Sequence, residues 1–517
     1  MSQPTSPSTA PALDAVQLGL FVSRLEAVCD EMGAVLQRAA FSPNIKDRLD
    51  FSCAIFDAKG ELCAQAAHIP VHLGSMAYAM ADIVGACEWR PGDMVVVNDP
   101  YLGGTHLPDV TVIAPFFDSD GILQAFIANR AHHADIGSDT PGSMPLSKSL
   151  AEEGVVIPPS YLVRNGKLDS AMLDNWFEPG QHGDFIAQVS ANRSGLTRLA
   201  EVVAALKVSF VDAVAQLQAY AARLALAQFK TLPAGRFEFT DYMDDDGFGH
   251  SDLAISVCID LSAEGVKVDF TGTADQVEGN INCPLSVAAA AVFYVFRCLM
   301  PADVPVCAGL FSAISLYAPE GSLLNARRPA AVAAGNVETS MRITDVVLGA
   351  LAGAVPDVIP AASHGSMNNI AMGGERGDWH YYETIAGGMG GHSMGRGLDA
   401  VQSHMTNTLN TPVESLEMHY PLRVRRYGIR PASGGAGRHA GGNGIVREFE
   451  FLADSRFTLL TERRRRGPWG IAGGDDGQPG ENRFNGQLLP GKVTGSASVG
   501  DVLSIETPGA GGWGQPE

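Results

Sequence analysis

Three imidazoles and two carboxylates fall within about thirty residues, on Gly103-Gly104-Thr105-His106-Leu107-Pro108-Asp109 and Arg130-Ala131-His132-His133-Ala134-Asp135-Ile136-Gly137. Such a set is what a catalytic divalent metal requires. Imidazole and carboxylate donors suit zinc, manganese or iron, and their mixture does not select among the three. Both segments share the spacing His-x-x-Asp, at which a tight bend lets its first and fourth side chains converge on one ion.

The intervening elements must bring the two segments together. Val110 to Phe117 and Ile122 to Ala128 are apolar runs around the turn Asp118-Ser119-Asp120-Gly121, the pattern of a β-hairpin. A hairpin joins its outer ends, so His106 and Asp109 are expected beside His132, His133 and Asp135. Adjacent residues leaving a strand point to opposite sides, so only one of His132 and His133 faces an ion directly. The other, or Asp135, is then a candidate orienting group or general base. Upstream, Asn44 to Asp57 reads as a polar turn entering a strand and offers Asp50 as a further carboxylate. His72 and Glu153 are weaker candidates for the same cavity, for which a structural role serves equally well.

Around these loops, Leu13 to Arg38 carries apolar residues near helical spacing, and Gly195 to Phe229 does so again. Leu232-Pro233-Ala234-Gly235 is a boundary signal. Arg236 to Val277 alternates as antiparallel strands do, and Leu285 to Leu299 is a compact apolar helix. From about residue 380 onward, Gly-rich stretches punctuate short β-like runs. The expected fold class is α+β: a multi-layer mixed α/β enzyme subunit with long helices and a β-rich, Gly-rich C-terminal part. Its expected divisions are a disordered tail at 1–12, an N-terminal region with the metal-site loops at 13–233, a central β-rich and helical region at 234–380, and a Gly-rich β region at 381–517.

With 517 residues, 46% of them hydrophobic, the chain has ample material for a sizeable core. The net charge of −21 disfavours nucleic acid or an anionic membrane as partner. No uninterrupted apolar run reaches the roughly 20 residues that span a bilayer. Eight cysteines without a Cys-x-x-Cys pair argue against structural zinc and a disulfide framework. With no signal-peptide pattern at the start, a cytoplasmic location is expected.

Three further motifs point elsewhere. Gly391-His392-Ser393-Met394-Gly395 satisfies the nucleophile-elbow pattern, but no strand runs into it, so a flexible substrate or subunit-contact loop is expected, with Glu383 and Thr384 as nearby polar groups. Gly486 to Val493 imitates a phosphate-binding loop, yet Val493 replaces the magnesium-holding hydroxyl and Pro490 removes a backbone donor, so a hairpin turn is expected. Arg463 to Arg466 is the one concentrated basic patch, read as a partner-facing or anion-holding loop.

The run Ile45 to Asp57, His68-Ile69-Pro70-Val71-His72-Leu73-Gly74-Ser75-Met76, Asn98-Asp99-Pro100-Tyr101 and the two His/Asp segments resemble the hydantoinase B/oxoprolinase family. Later segments agree, among them Gly279-Asn280-Ile281-Asn282, Gly335-Asn336-Val337-Glu338-Thr339-Ser340 and His404-Met405-Thr406-Asn407-Thr408. The resemblance extends from about residue 15 to the C-terminus. It implies a subunit that works in a hetero-oligomer with a hydantoinase A-like partner, which carries ATP and magnesium and activates an unreactive amide or carbonyl. It implies His106, Asp109 and His132 as metal ligands, with Asp50 as an additional ligand or proton acceptor and His133 or Asp135 in support. The implied reaction is ATP-coupled hydrolysis of a cyclic amide of the hydantoin, oxoproline or lactam type. The family also holds acetone- and acetophenone-type carboxylases, and a non-catalytic scaffold with a structural metal is the alternative outside enzymes.

Overall fold

Asp14 starts the first helix, Ala15–Ala39, by accepting a hydrogen bond from Gln17 N (2.8 Å), while its own N–H donates to Gln17 Oε1 (3.0 Å). This reciprocal cap satisfies backbone donors that the first turn leaves free. The protein's structure is a computed structural model that describes residues 12–66, 68–177 and 179–516. The tail expected at 1–12 lies outside the described residues except for its last position.

Seven antiparallel strands form the sheet that carries the His/Asp segments. They are β1 (Phe51–Asp57), β2 (Leu62–Gln65), β3 (Met94–Val97), β4 (Asp109–Phe117), β5 (Leu123–His132), β6 (Ser160–Arg164) and β7 (Lys167–Leu168), in the order β2-β1-β5-β4-β3-β6-β7. The expected hairpin is β4 and β5. Strand alternation decides what each residue meets. Val110 and Val112 of β4 pack with Phe185 and Val189 of the helix Gly183–Ala204 on one face. Ile113 of β4, with Phe126 and Ala128 of β5, packs with Met76 and Met80 of the helix Pro70–Gly85 on the other.

The helical region expected at 195–229 is two helices, Gly183–Ala204 and Phe210–Phe229. The break falls where the Ser209 hydroxyl accepts from Asp212 N (3.1 Å) and caps the second. A second sheet follows, with β8 (Gly235–Asp245), β9 (Ser251–Ser262), β10 (Gly265–Asp269) and β11 (Ile314–Tyr317) in the order β11-β10-β9-β8. The β8 to β10 pairings are antiparallel as the alternation predicts, and β11 adds in parallel to β10. The helix Ser340–Ala352 packs on β8 and β9, and a π-turn, Gly335–Thr339, leads into it.

The remaining strands are β12 (Asn369–Gly374), β13 (His380–Glu383), β14 (Leu422–Ile429), β15 (Ile445–Phe451), β16 (Ser455–Leu460), β17 (Glu481–Phe484), β18 (Gln487–Leu489), β19 (Lys492–Ala497) and β20 (Val502–Glu506). They form sheets of order β13-β12-β16-β19 and β14-β15-β20-β17-β18, whose core includes Ile370, Phe449, Phe457 and Leu503. The glycines near the C-terminus permit close backbone approach. A Cβ at Gly509 would lie 1.9 Å from the Ser433 carbonyl oxygen, and one at Gly511 would lie 2.0 Å from that of Trp469. With mixed helix and strand in several sheets, the fold is α+β.

The three outlying motifs resolve structurally. Gly391 to Gly395 is a tight turn closed by a His392–Gly395 bridge, with the Ser393 hydroxyl donating to Asp357 O (2.6 Å). The phosphate-loop imitation is a hairpin turn leading through β18 to β19, and Lys492 is buried against Glu462 (2.5 Å). The arginine run corrects the expectation of a partner-facing or anion-holding loop. Arg463 is buried with Asp241 and Asp345 at 2.6 Å each, and the half-buried Arg464 guanidinium donates to Asn368, Asn482 and the Glu462 carbonyl. Arg465 and Arg466 are exposed and pair with Asp252. The reason is electrostatic: a buried cation persists only where fixed anions pair with it, and β8 and the helix Ser340–Ala352 supply them.

Candidate metal centre

Asp109 opens β4 and His132 closes β5, and the two are directly paired across the ladder. Their side chains therefore share a face, the one covered by the helix Pro70–Gly85. His106 sits on the bend before β4, where Asp109 N donates to His106 O (3.2 Å). The Asp109 carboxylate is the hub. Its Oδ2 lies 3.3 Å from His106 Nε2, and its Oδ1 lies 3.2 Å from His72 Nε2 and 3.5 Å from His132 Nδ1. Thr105 Oγ1 and Asn336 Nδ2 also donate to Oδ2. Asp50, just before β1, stands 3.9 Å from His132 Nδ1 and 4.0 Å from His72 Nε2.

His106, Asp109 and His132 each offer one ligand atom, and these atoms lie within 4.8 Å of one another, all three residues being buried. His106 Nε2, Asp109 Oδ1 and His132 Nε2 make no hydrogen bond within the protein. An unmade hydrogen bond on a buried polar group costs about 1–3 kcal/mol. A divalent cation would offset that cost for several donors at once, so the donor set fits a metal. His106 is also oriented as ligating histidines are, with Nδ1 facing the Ala333 carbonyl at 3.3 Å. Ala333 N and Val332 N in turn donate to Glu153 Oε1 at 2.9 and 2.8 Å. Glu153 thus braces the loop that orients His106.

Burial disfavours a charged His106, but Asp109, with Asp50 and Glu153 adding to it, outweighs that and raises its pKa. Burial lowers the pKa of His132 against the opposing pull of Asp109 and Asp50. For Asp109 burial is outweighed by His106 and His72, and the carboxyl stays well below its ordinary range. Burial raises the Glu153 carboxyl to about 7.

A small pocket of about 20 Å³ adjoins the cluster, lined among others by Asp50, His72, His132, Asn336, Tyr382 and Thr384. A larger apolar pocket of about 230 Å³, lined by Phe293, Tyr294, Phe311 and His68 among others, contains none of the three clustered residues. The fold brings together His106, Asp109, His132, Asp50 and the weaker candidate His72. It does not bring in His133, whose Nε2 lies 2.9 Å from Gln188 Oε1 and whose ring packs 4.4 Å from Phe185, on the other face of the sheet. Nor does it bring in Asp135, which caps its own turn through Gly137 N (2.8 Å) and accepts from Gln181 Nε2 (2.7 Å). Glu383 pairs with Arg447 at 3.0 Å, away from the ligand atoms. Sequence reasoning missed Arg48, Asn336 and Tyr382. Arg48 and Asn336 lie in segments that carry the family resemblance, whereas nothing local marks Tyr382.

The two neighbouring histidines are separable by experiment. His132→Ala should lose bound metal. His133→Ala should keep it and lower stability by about 1–3 kcal/mol, the cost of leaving Gln188 unpaired. Elemental analysis with thermal unfolding reads both, and metal lost from the His133 variant but kept in the His132 variant would reverse the assignment.

Fold and site together define a chain in which a sheet and its flanking loops bury a His/Asp cluster beside a small pocket. The chain belongs to the hydantoinase B/oxoprolinase family, whose profile matches residues 14–516. It is 40% identical, over 98% of its length, to an uncharacterised protein of Methanocaldococcus jannaschii, 91% of which is covered. It is 38% identical over 97% of its length to 5-oxoprolinase 1 of Arabidopsis thaliana, but spans only 42% of that relative. It is 32% identical over 98% of its length to a protein of a Pseudomonas strain that is named as a D-/L-hydantoinase subunit, covering 90% of it. Among solved structures, the ATP-dependent caprolactamase from Pseudomonas jessenii superposes with a TM-score of 0.90 at 26% identity, covering 98% of this chain and 92% of that one. Among the described residues, no helix is long and apolar enough to cross a membrane.

Proposed function

We propose that this chain is the metal-binding catalytic subunit of an ATP-dependent amidohydrolase that opens a cyclic amide of the hydantoin, oxoproline or lactam type. In this reading it works with a hydantoinase A-like partner that binds ATP and magnesium. The observation that carries the reading is the buried His106, Asp109 and His132 set with unpartnered ligand atoms beside a pocket. The hydantoinase and caprolactamase relatives support the amide chemistry, and the hydantoinase relative's being named as one subunit of its enzyme supports a partner. The phosphate-loop imitation is a hairpin with a buried lysine, which favours ATP being bound elsewhere.

Hydrolysing an unstrained amide at neutral pH needs a better electrophile and a better nucleophile. Activation by ATP on the partner supplies the first. A divalent metal held by His106, Asp109 and His132 would supply Lewis acidity and lower the pKa of water from 15.7 towards roughly 7. Asp109 holds the surrounding imidazoles in place and compensates charge. Asp50 faces the pocket and stands near both His132 and His72, so it serves as a further ligand or as the proton acceptor. Asn336, Thr384, Thr406 and Thr408 present polar groups on the pocket wall, and Ile69, Val337 and Met405 are among its apolar residues.

The test is reconstitution. The purified chain alone should neither hydrolyse ATP nor open a ring, whereas the chain with a hydantoinase A-like partner, ATP and a divalent metal should open hydantoin, 5-oxoproline or caprolactam. ATP turnover by the chain alone would contradict the division of labour. Ring opening unaffected by metal removal would contradict the role of the cluster.

A further inference from the structure

A ligating imidazole needs its plane fixed, because the torsion that sets it is broad and roughly two-fold. Ligating histidines are usually fixed by a hydrogen bond from the other ring nitrogen. His106 has one, to Ala333 O, but His132 does not: its Nε2 has no partner and its Nδ1 faces Asp109 at 3.5 Å. What His132 has instead is a flat neighbour. The Tyr382 ring lies 4.8 Å from it, centroid to centroid, with an interplanar angle of 2°.

Tyr382 is itself held at several points. Its hydroxyl donates to Asn369 Oδ1 (2.6 Å), and Asn369 Nδ2 donates to Glu338 Oε1 (2.7 Å) and Leu460 O (3.0 Å). Met367 N also donates to Glu338 Oε1 (3.0 Å). The Arg48 guanidinium stands 4.8 Å from the Tyr382 ring centroid, donates to the Tyr382 carbonyl (3.0 Å) and lies 3.7 Å from Asp50. Glu338 belongs to the same π-turn as Asn336, which donates to Asp109 Oδ2 (3.3 Å). Single π-turns occur disproportionately at functional sites. Here one turn braces both the hub carboxylate and, through Asn369 and Tyr382, the plane of His132.

We propose that Tyr382 is a positioning residue for the metal centre, its ring, clamped by Arg48 and by the Asn369–Glu338 pair, presetting the plane of His132. The proposal rests on the reading of His106, Asp109 and His132 as ligands, and it assigns the work to the flat face rather than to the hydroxyl. Stacked rings attract beyond their buried area, which favours one plane for the imidazole.

The experiment compares zinc binding by the full chain against a competing chelator, for wild type, Tyr382→Phe and Tyr382→Met. Methionine fills the space without a flat face, and phenylalanine restores it. Tyr382→Met should weaken zinc by about 10–100-fold, the range for losing a group that orients a ligand. Tyr382→Phe should stay within about fivefold of wild type. The cobalt(II) absorption bands should shift in the Met variant and not in the Phe variant, a signature that loosened packing elsewhere would not produce. Tyr382→Leu is a second non-planar variant in case the Met form does not fold. Equal zinc affinity in wild type and the non-planar variant, or equal weakening in the Phe and non-planar variants, overturns the proposal. A wild-type chain that binds no zinc, manganese or iron would instead remove the metal reading beneath it.

Discussion

Asp109→Ala is expected to abolish metal uptake and to lower turnover of the reconstituted enzyme by at least about tenfold, the low end for losing even a supporting group around a metal. Asp109 is one of the three proposed ligands and, among the described residues, the one carboxylate within about 3.5 Å of all three of His106, His72 and His132. Its removal leaves buried rings without the charge that orients them. Elemental analysis and steady-state kinetics on the same preparation check it. Full metal content with unchanged turnover in this variant would rule out the cluster as the centre of the chemistry.

Arg463→Ala is expected to cost about 3–5 kcal/mol of stability, the range for removing one member of a buried ion pair and leaving the other uncompensated. Arg463 contacts both Asp241 and Asp345, and Asp345 Oδ1 already lacks a hydrogen bond. Asp241 keeps Arg342 at 3.4 Å, so Asp345 bears the larger part of the loss. Arg465→Ala, at a half-exposed pair with Asp252, is expected to cost less than about 1 kcal/mol. Urea midpoints of the two variants give the comparison, and indistinguishable midpoints would show that the buried network adds nothing to stability.

The hairpin around Asp118 to Gly121 was legible because both its strands and its turn are written in consecutive residues. Period-two alternation implied that His132 and His133 must part company, and the structure places them on opposite faces of the sheet. The helix at 13–38 was legible from its apolar spacing, and the structure has it at Ala15–Ala39. What sequence could not show depends on distant partners. Arg463 reads as a surface cation until Asp241 and Asp345 arrive from 222 and 118 positions away. Tyr382 and Arg48 carry no local pattern that ties them to His132, and only the packing of β13 against the N-terminal sheet does so. His72 reads from sequence only as a weaker candidate for the same cavity, and its 3.2 Å approach to Asp109 follows from how the helix Pro70–Gly85 lies across the sheet.

The hairpin that holds Asp109 and His132 also has a consequence for the order of events during folding. It closes a short loop, while Asn336 reaches Asp109 across 227 positions of chain, and Tyr382 comes from further still. The entropy of closing a long loop grows only logarithmically with its length, so the distant wall is cheap at equilibrium. Its formation is nevertheless slow, since pairings far apart in sequence retard folding. The donors are therefore gathered early and covered late. An ion present while the chain folds is expected to reach the candidate ligands faster than one supplied to the finished protein, a difference that zinc uptake during and after refolding would measure.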